Sequence, residues 1–298
     1  MNITFRTYRN DTLFGEDYHK LRQFLIELDS SNYAFGRWDW MITHPNLKDE
    51  IEKIGIWEDR GHIAALATFD TQINGKCYFP YKQGYTGLLR DMIMYAKENL
   101  AGEDGVRVLI RDGDEDFQSA ASELGFIPTQ EREYDAVIPI DNKIRYTLPE
   151  GFGITSIKDN PDYLKYGKCL WKGFNHEANG EGAFEESLTP EHMPHYKLFF
   201  ERPNVNPDIK IAVTAPNGDF VSYCGMWQDP GCKSVLVEPV ATDPAYRKMG
   251  LGRAAVLEAV RRCGGLGAQR AFVGSKQQFY YSIGFRPYAS STFWKLHI

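Results

Sequence analysis

Cysteine is scarce in this chain, positive charge is not in excess, and no long apolar run occurs. The five cysteines, Cys77, Cys169, Cys224, Cys232 and Cys263, are odd in number, irregularly spaced and without a CxxC pair. That pattern excludes a disulfide framework and fits reduced side chains. The seven histidines are scattered, and only His192 and His195 sit close together. Pro194 lies between them and no third ligand is near, so no metal is expected. A net charge of −6 and a pI near 5.7 lack the basic footprint of a nucleic-acid binder and disfavour a tethered acidic substrate. No apolar stretch approaches the ~20 residues of a membrane span. The opening Met1-Asn2-Ile3-Thr4-Phe5-Arg6 has no apolar core of a secretion signal. The expectation is a soluble, cytoplasmic protein with neither membrane nor nucleic-acid partners.

At 298 residues with 43% hydrophobic content, the chain carries apolar material for two cores. Its most informative stretch is Arg247-Lys248-Met249-Gly250-Leu251-Gly252-Arg253-Ala254. An apolar run, Val235-Leu236-Val237, leads through Pro239-Val240-Ala241-Thr242 to the glycines, and Ala255, Val256, Ala259, Val260 and Cys263 then recur at helical spacing. Two glycines therefore stand where a strand hands over to a helix. There the unpaired N–H groups and the positive end of the helix dipole favour a phosphate, and glycine lets the anion approach the backbone. Gly250-Leu251-Gly252-Arg253-Ala254-Ala255 also fits the dinucleotide fingerprint. That fingerprint needs its glycines directly after the strand and an acidic residue about twenty positions on. The loop from Ala241 to Gly250 is too long, and Phe272 and Val273 occupy the acidic slot.

Arg-x-x-Gly-x-Gly, preceded by a strand and Asp243-Pro244-Ala245-Tyr246, resembles the pyrophosphate loop of the GNAT superfamily of N-acetyltransferases. The chain continues as that family does. A second strand, Arg270-Ala271-Phe272-Val273, precedes Phe279-Tyr280-Tyr281-Ser282-Ile283-Gly284-Phe285, the Phe-Tyr-x-x-x-Gly-Phe signature. The two motifs cover roughly 235–287, and the elements around them extend the resemblance to about 150–298.

An internal repeat points to two related halves. Leu124-Gly125-Phe126-Ile127-Pro128 echoes Ile283-Gly284-Phe285-Arg286-Pro287, each a helix ending on a left-handed glycine before an aromatic enters a strand. First strands at Ile3-Thr4-Phe5-Arg6 and Gly153-Ile154-Thr155-Ser156 are followed by amphipathic helices at about 18–28 and 163–173. The resemblance thus implies an α/β fold of two tandem GNAT-like domains, each a mixed, splayed β-sheet flanked by helices. The proline-bearing, turn-rich stretch 141–151 is the expected linker between 1–140 and 152–298. The first half has Tyr81-Lys82-Gln83-Gly84-Tyr85-Thr86-Gly87 in place of the glycine motif, and Ala121 where the second has Tyr280. It reads as a degenerate, structural copy, with Lys82 and Gly84 as a weaker ligand site of its own.

The resemblance implies acetyl transfer from acetyl-CoA (coenzyme A), the cosubstrate, to an amine of a small molecule or peptide by direct attack in a ternary complex. Such chemistry needs a neutral amine, a donor for the developing oxyanion and an acid for the departing thiolate. Pro239 cannot donate to a ladder, so it marks an edge or a bulge where pairing fails. By family position, Val240, Ala241 and Thr242 would hold the pantetheine arm and carbonyl, and Arg247, Lys248, Met249, Gly250, Leu251, Gly252 and Arg253 the pyrophosphate. Tyr280 matches the family's acid, four positions before the glycine of the Gly-Phe step. Glu238 is the candidate base; by strand parity it shares a face with Leu236 and Val240. His176, Glu177 or water could serve instead.

The expected acceptor wall is Trp171, Phe174, His176 and Glu177, beside an accumulation of Glu181, Glu185, Glu186 and Glu191 with no Lys or Arg between Lys172 and Lys197. Aromatics with carboxylates suit a cationic amine. The protein would act as a monomer or homodimer. A non-catalytic acyl-CoA-binding regulator is the alternative, and a nicotinamide enzyme a third reading.

Overall fold

The computed structural model describes residues 2–44, 47, 50–141, 143–189 and 192–296; Asn142, in the expected linker, lies outside them. The chain divides into two compact units. One holds the residues up to Ala136 with 274–276 and those from Pro287 on, the other Val137–Val273 with Gln277–Arg286.

In the first unit, β1 (Ile3–Thr7), β2 (Gly55–Asp59) and β3 (His62–Ala67) form an antiparallel meander. Helix α1 (Glu16–Leu28) buries Tyr18, Leu21, Phe24 and Leu25, a stripe at helical spacing. It is joined to α2 (Phe35–Met41) by a buried ion pair, Arg22 with Asp39 at 2.9 Å, and by the Tyr18 hydroxyl donating to Asp39 at 2.7 Å. The second half of this unit is β4 (Lys76–Cys77), α3 (Leu89–Asn99), β5 (Arg107–Arg111), α4 (Glu115–Glu123) and β6 (Phe126–Pro139) as far as Ala136.

The second unit is a five-strand array in the order β7 (Gly153–Ser156), β8 (Ile211–Thr214), β9 (Phe220–Trp227), β10 (Ser234–Thr242), β11 (Arg270–Val273). All neighbours in it are antiparallel except β10 and β11, whose parallel pairing needs a crossover. Helix α8 (Leu251–Gly265) supplies it. Helices α5 (Tyr163–Gly173), α6 (Phe184–Ser187) and α7 (His192–Glu201) lie between β7 and β8 in sequence, and α9 (Gln278–Ser282) follows β11. Strand β9 is buried along its whole length because both faces are covered. Tyr223 meets Tyr166 of α5 at 4.9 Å between rings, so the next residue, Cys224, faces the other way, toward α8.

The units divide the chain differently from the sequence boundary at 141–151. Strand β12 (Arg286–Leu296) pairs antiparallel with β5, from Ser291 opposite Arg111 to Lys295 opposite Arg107, so from Pro287 on it belongs to the first unit. An alignment of repeats follows local pattern, whereas strand pairing joins segments far apart in sequence. The chain is packed up to the edge of the expected linker: Ile140, the residue before it, donates its N–H to the Gln269 carbonyl at 2.8 Å, and its side chain takes the space that a Cβ on Gly264 would need. Among the described residues, no helix is long and apolar enough to cross a membrane.

Tyr146 of the same stretch is fastened through a buried carboxylate. Glu258 of α8 is 3% exposed and accepts from Arg261 and Arg262 at 2.8 Å and from the Tyr146 hydroxyl at 2.9 Å. Burial works to raise its pKa, but these donors overcome it and hold the value at about 2 against an ordinary 4.5. A depressed carboxylate stabilises the fold above its unfolded pKa, and that contribution is lost as pH falls from about 4.5 toward about 2. Glu258→Gln is therefore expected to lower stability at pH 7 by about 2–3 kcal/mol. Denaturant titrations at pH 7 and pH 3 check this: the gap between wild type and variant should shrink at the lower pH.

Candidate active site

The site begins with a counting mismatch between β9 and β10. Val237 stands opposite Met226 and Val240 opposite Cys224, so Glu238 and Pro239 together face the single residue Gly225. Two residues against one is a β-bulge. It requires close approach, because a Cβ on Gly225 would meet the Glu238 carbonyl at 2.5 Å and Pro239 Cδ at 3.0 Å. The bulge also corrects the parity expectation. Directly opposed residues share a face, so Val237 and Val240 lie on the face of Met226 and Cys224, and Leu236 and Ala241 on that of Trp227 and Tyr223. Leu236 and Val240 are on opposite faces, since the extra residue reverses the alternation.

The other edge of β10 parts from its neighbour at the same place. Pairing with β11 runs from Ser234 opposite Arg270 to Leu236 opposite Phe272 and stops. From Val237 on, β10 keeps β9 alone as a strand partner. Pro239 sits where the ladder fails, and among the described residues no strand lies against the outer edge of 240–242 beyond it.

The chain then turns into the glycine loop. Asp243 accepts from the Ala245 N–H at 2.9 Å and its own N–H donates to Val221 at 3.0 Å, fixing the turn. Lys248 (φ +64°) and Gly250 (φ +84°) are left-handed, and left-handed residues in such a turn point successive N–H groups toward one side. Ala254 is the first residue to donate along α8, to Gly250 at 3.0 Å. The N–H groups of Leu251, Gly252 and Arg253 precede that bond and lack an acceptor within the helix. Residues 247–250 and Arg253 are exposed, whereas Leu251 and Ala254 anchor the helix start in the core. A Cβ on Gly252 would meet Thr242 Oγ1 at 3.0 Å and the Phe279 ring at 3.4 Å. The glycine keeps α8 close to the end of β10.

Tyr280 lies in α9 and is buried, packed edge-on against Phe279 at 5.0 Å and Phe285 at 5.5 Å. Gly284 (φ +111°) reverses the chain so that the Phe285 N–H bonds the Tyr280 carbonyl at 3.1 Å. Among the described residues the Tyr280 hydroxyl has no hydrogen-bond partner. Burial, and then the nearby Cys224 and Glu238, push its pKa upward, so the phenol keeps its proton. Glu238 is half-buried on the bulge. Cys224 and Glu238 are thus each within electrostatic range of the Tyr280 hydroxyl.

The expected acceptor wall is a hydrogen-bonded turn rather than a loose loop. His176 stacks on Trp171 at 4.3 Å, its N–H bonds the Trp171 carbonyl, and its Nδ1 lies 2.9 Å from Glu181. The Trp171 indole donates to Gly182 at 3.2 Å. Phe174 and Glu177 are exposed. Part of the acidic rim is internally satisfied: Glu185 pairs with Lys168 at 2.8 Å, and Glu186 accepts from the Ala183 N–H. Glu191 and the side chain of His192 lie outside the described residues. Among the described residues no group of three metal-ligating side chains stands together. The turn reaches the strand through Gly173, where a Cβ would meet Ala241 Cβ at 2.6 Å and the Thr242 nitrogen at 2.9 Å. Arg247 bonds Gly173 and Asn175 of that turn. Sequence reasoning missed Gly225, Gly173 and Asn175. A glycine inside the apolar run Phe220–Trp227 was the available signal for the bulge.

The first unit has the same splay with a filled interior. Beyond Cys77, which faces Val108 of β5, residues 78–82 leave β5 and run along β3, with Thr68 bridged to Tyr78 and Ala65 to Tyr81. Here Phe79 and Tyr81 pack on Phe117 of α4 at 5.5 and 6.2 Å, and the Tyr81 hydroxyl donates to Asp114 at 2.5 Å. Lys82 pairs with Glu27 at 2.8 Å, and Ala121 is buried.

Residues 177–285 match the model of the acetyltransferase (GNAT) family. This segment is a GNAT acetyltransferase domain. Solved structures of similar fold span nearly the whole chain. A tandem GNAT protein from the clavulanic acid biosynthesis pathway is 10% identical over 98% of each chain, with a TM-score of 0.59. The GCN5-related N-acetyltransferase from Sphaerobacter thermophilus is 13% identical over 98% of this chain and 94% of that one, at 0.56. A GNAT-family acetyltransferase from Colwellia psychrerythraea is 8% identical over 98% and 100%, at 0.54. The fold class is therefore that of the tandem GNAT proteins, with mixed sheets flanked by helices. No curated protein matches the sequence significantly.

Because Gly225 has no room for a side chain, Gly225→Ala is expected to destabilise the second unit by about 1–3 kcal/mol. Gly231→Ala, a loop substitution whose added Cβ meets only the Asp229 carboxylate at 3.2 Å, is the control with a small effect. Thermal melts of both variants check the difference.

Proposed function

We propose that the second unit transfers an acetyl group from acetyl-CoA to an amine of a small molecule or peptide, by direct attack within a ternary complex. The observation that carries this reading is the coincidence, among the described residues, of three features: a strand edge left unpaired, a helix start opened by left-handed backbone, and a buried phenol whose hydroxyl has no hydrogen-bond partner. The residues present fit the cosubstrate. N–H groups of 248–253 at the start of α8 would hold the pyrophosphate, and residues 240–242, where β10 has parted from β11, the pantetheine arm and the carbonyl. Gly252 lets the start of α8 lie close to Thr242 and Phe279, which keeps the N–H groups beside the end of β10. Acetyl-CoA supplies the activated acyl thioester.

Tyr280 acts as the acid. Its raised pKa keeps a proton on the hydroxyl throughout the neutral range, available to the departing sulfur. Glu238, on the bulge, takes the proton from the attacking amine, and Trp171, Phe174, His176 and Glu177 form the wall against which a cationic amine is received. The first unit serves as a structural copy. Phe79, Phe117 and the Tyr81–Asp114 bond fill its splay, so one acetyl-CoA binds per chain.

Tyr280→Phe is expected to lower turnover by about 10²-fold or more while coenzyme A affinity changes by less than about threefold. Thiol release measured across a panel of amines, with calorimetric titration of coenzyme A, tests both halves; unaltered turnover removes Tyr280 from the chemistry. Binding without thiol release from any amine would instead identify an acyl-CoA-binding protein. Gly252→Val is expected to weaken coenzyme A binding at least about tenfold, since the added side chain meets Thr242 and Phe279. Wild-type affinity in that variant would exclude the loop as the phosphate site.

A further inference from the structure

The arginine that opens the glycine motif is engaged away from the N–H groups of α8. Its Nε donates to the Thr242 carbonyl at 3.1 Å, and one Nη donates to both the Gly173 carbonyl at 2.8 Å and Asn175 Oδ1 at 2.9 Å. Gly173 is the last residue of α5, so its carbonyl is among those a helix end leaves unsatisfied, where a cation is also favoured by the dipole. Asn175 (φ +63°) is left-handed and leads directly into His176 and Glu177. One planar guanidinium therefore joins the end of β10 to the turn carrying the acceptor wall. A second, looser tie is Lys172 to Asp243 at 4.0 Å. Contact between Gly173 and residues 241–242 is too close for even a methyl group, so the two segments lie directly against one another.

We infer that Arg247 is a positioning residue that couples the cosubstrate loop to the acceptor wall, rather than a ligand of the pyrophosphate. The inference rests on the acetyl-CoA reading above. Two roles are thereby separated within the motif, in which the backbone of 248–253 receives the anion and the Arg247 side chain transmits the resulting order to 173–177. A lysine cannot replace it, because an ammonium on a flexible stem does not reproduce a fixed fork reaching three acceptors.

Hydrogen–deuterium exchange with coenzyme A as the probe tests the coupling without knowledge of the amine. In the wild type, saturating coenzyme A should slow exchange both at 248–254 and at 172–182. Arg247→Ala should keep the first response, with coenzyme A affinity within about threefold of wild type, and lose the second. Arg247→Lys should lose most of the second response, and Asn175→Ala at least half of it. A merely structural role would shift exchange at 172–182 equally with and without coenzyme A, leaving the response intact, and that result overturns the inference. So does a loss of coenzyme A affinity of tenfold or more in Arg247→Ala, which would make Arg247 a phosphate ligand. Should Arg247→Ala fail to fold, Arg247→Lys and Asn175→Ala carry the same two readouts. Failure of the wild type to bind coenzyme A would overturn the functional reading itself, and is seen before any variant is made.

Discussion

The structure of the site depends on one packing constraint: the backbone of Glu238 and Pro239 lies against Gly225 at a distance that admits no side chain. Because two residues oppose one, β10 is bent and its alternation reversed between Val237 and Val240. The same residues end the pairing with β11. Everything proposed to act on the cosubstrate follows from that bend. It frees an edge, turns Thr242 toward Gly252 at the start of α8, and turns Ala241 toward Gly173 at the end of α5.

Comparison of the two units, each taken by itself, shows how little separates a receptive splay from a filled one. Both have a strand that begins against a parallel neighbour and then follows the antiparallel one. In the first unit aromatic rings occupy the opening, and Tyr81 donates to Asp114 across it. In the second, glycines and small residues stand at the equivalent approaches, and Tyr280 is buried without a hydrogen-bond partner among the described residues. Burial of rings such as Phe79 and Phe117 stabilises a domain by a few kcal/mol each, so filling the opening adds stability to the first unit.

Charge around the second site is arranged in good part for structure. The acidic rim that looks in sequence like a uniform attractant includes Glu185 paired with Lys168, Glu186 on a backbone N–H, and Glu181 beside His176. Exposed pairs of this kind contribute little energy individually, but here they hold the turn on which Glu177 and Phe174 are exposed. Arg247 does the same for the junction of turn and strand.

The local grammar of this chain was legible without coordinates. The helix at 163–173, the left-handed glycines Gly125 and Gly284, and the failure of the ladder at Pro239 all follow from side-chain period and backbone freedom, which neighbouring residues determine. What sequence could not give were the outcomes that require two distant segments to meet. The face of Val240 depends on the residue across the bulge, the bonds of Arg247 on the end of a helix over 70 positions earlier, and the unit to which β12 belongs on pairing with Arg107–Arg111. Periodicity fixes how a segment can fold; only packing in three dimensions decides which surface it meets.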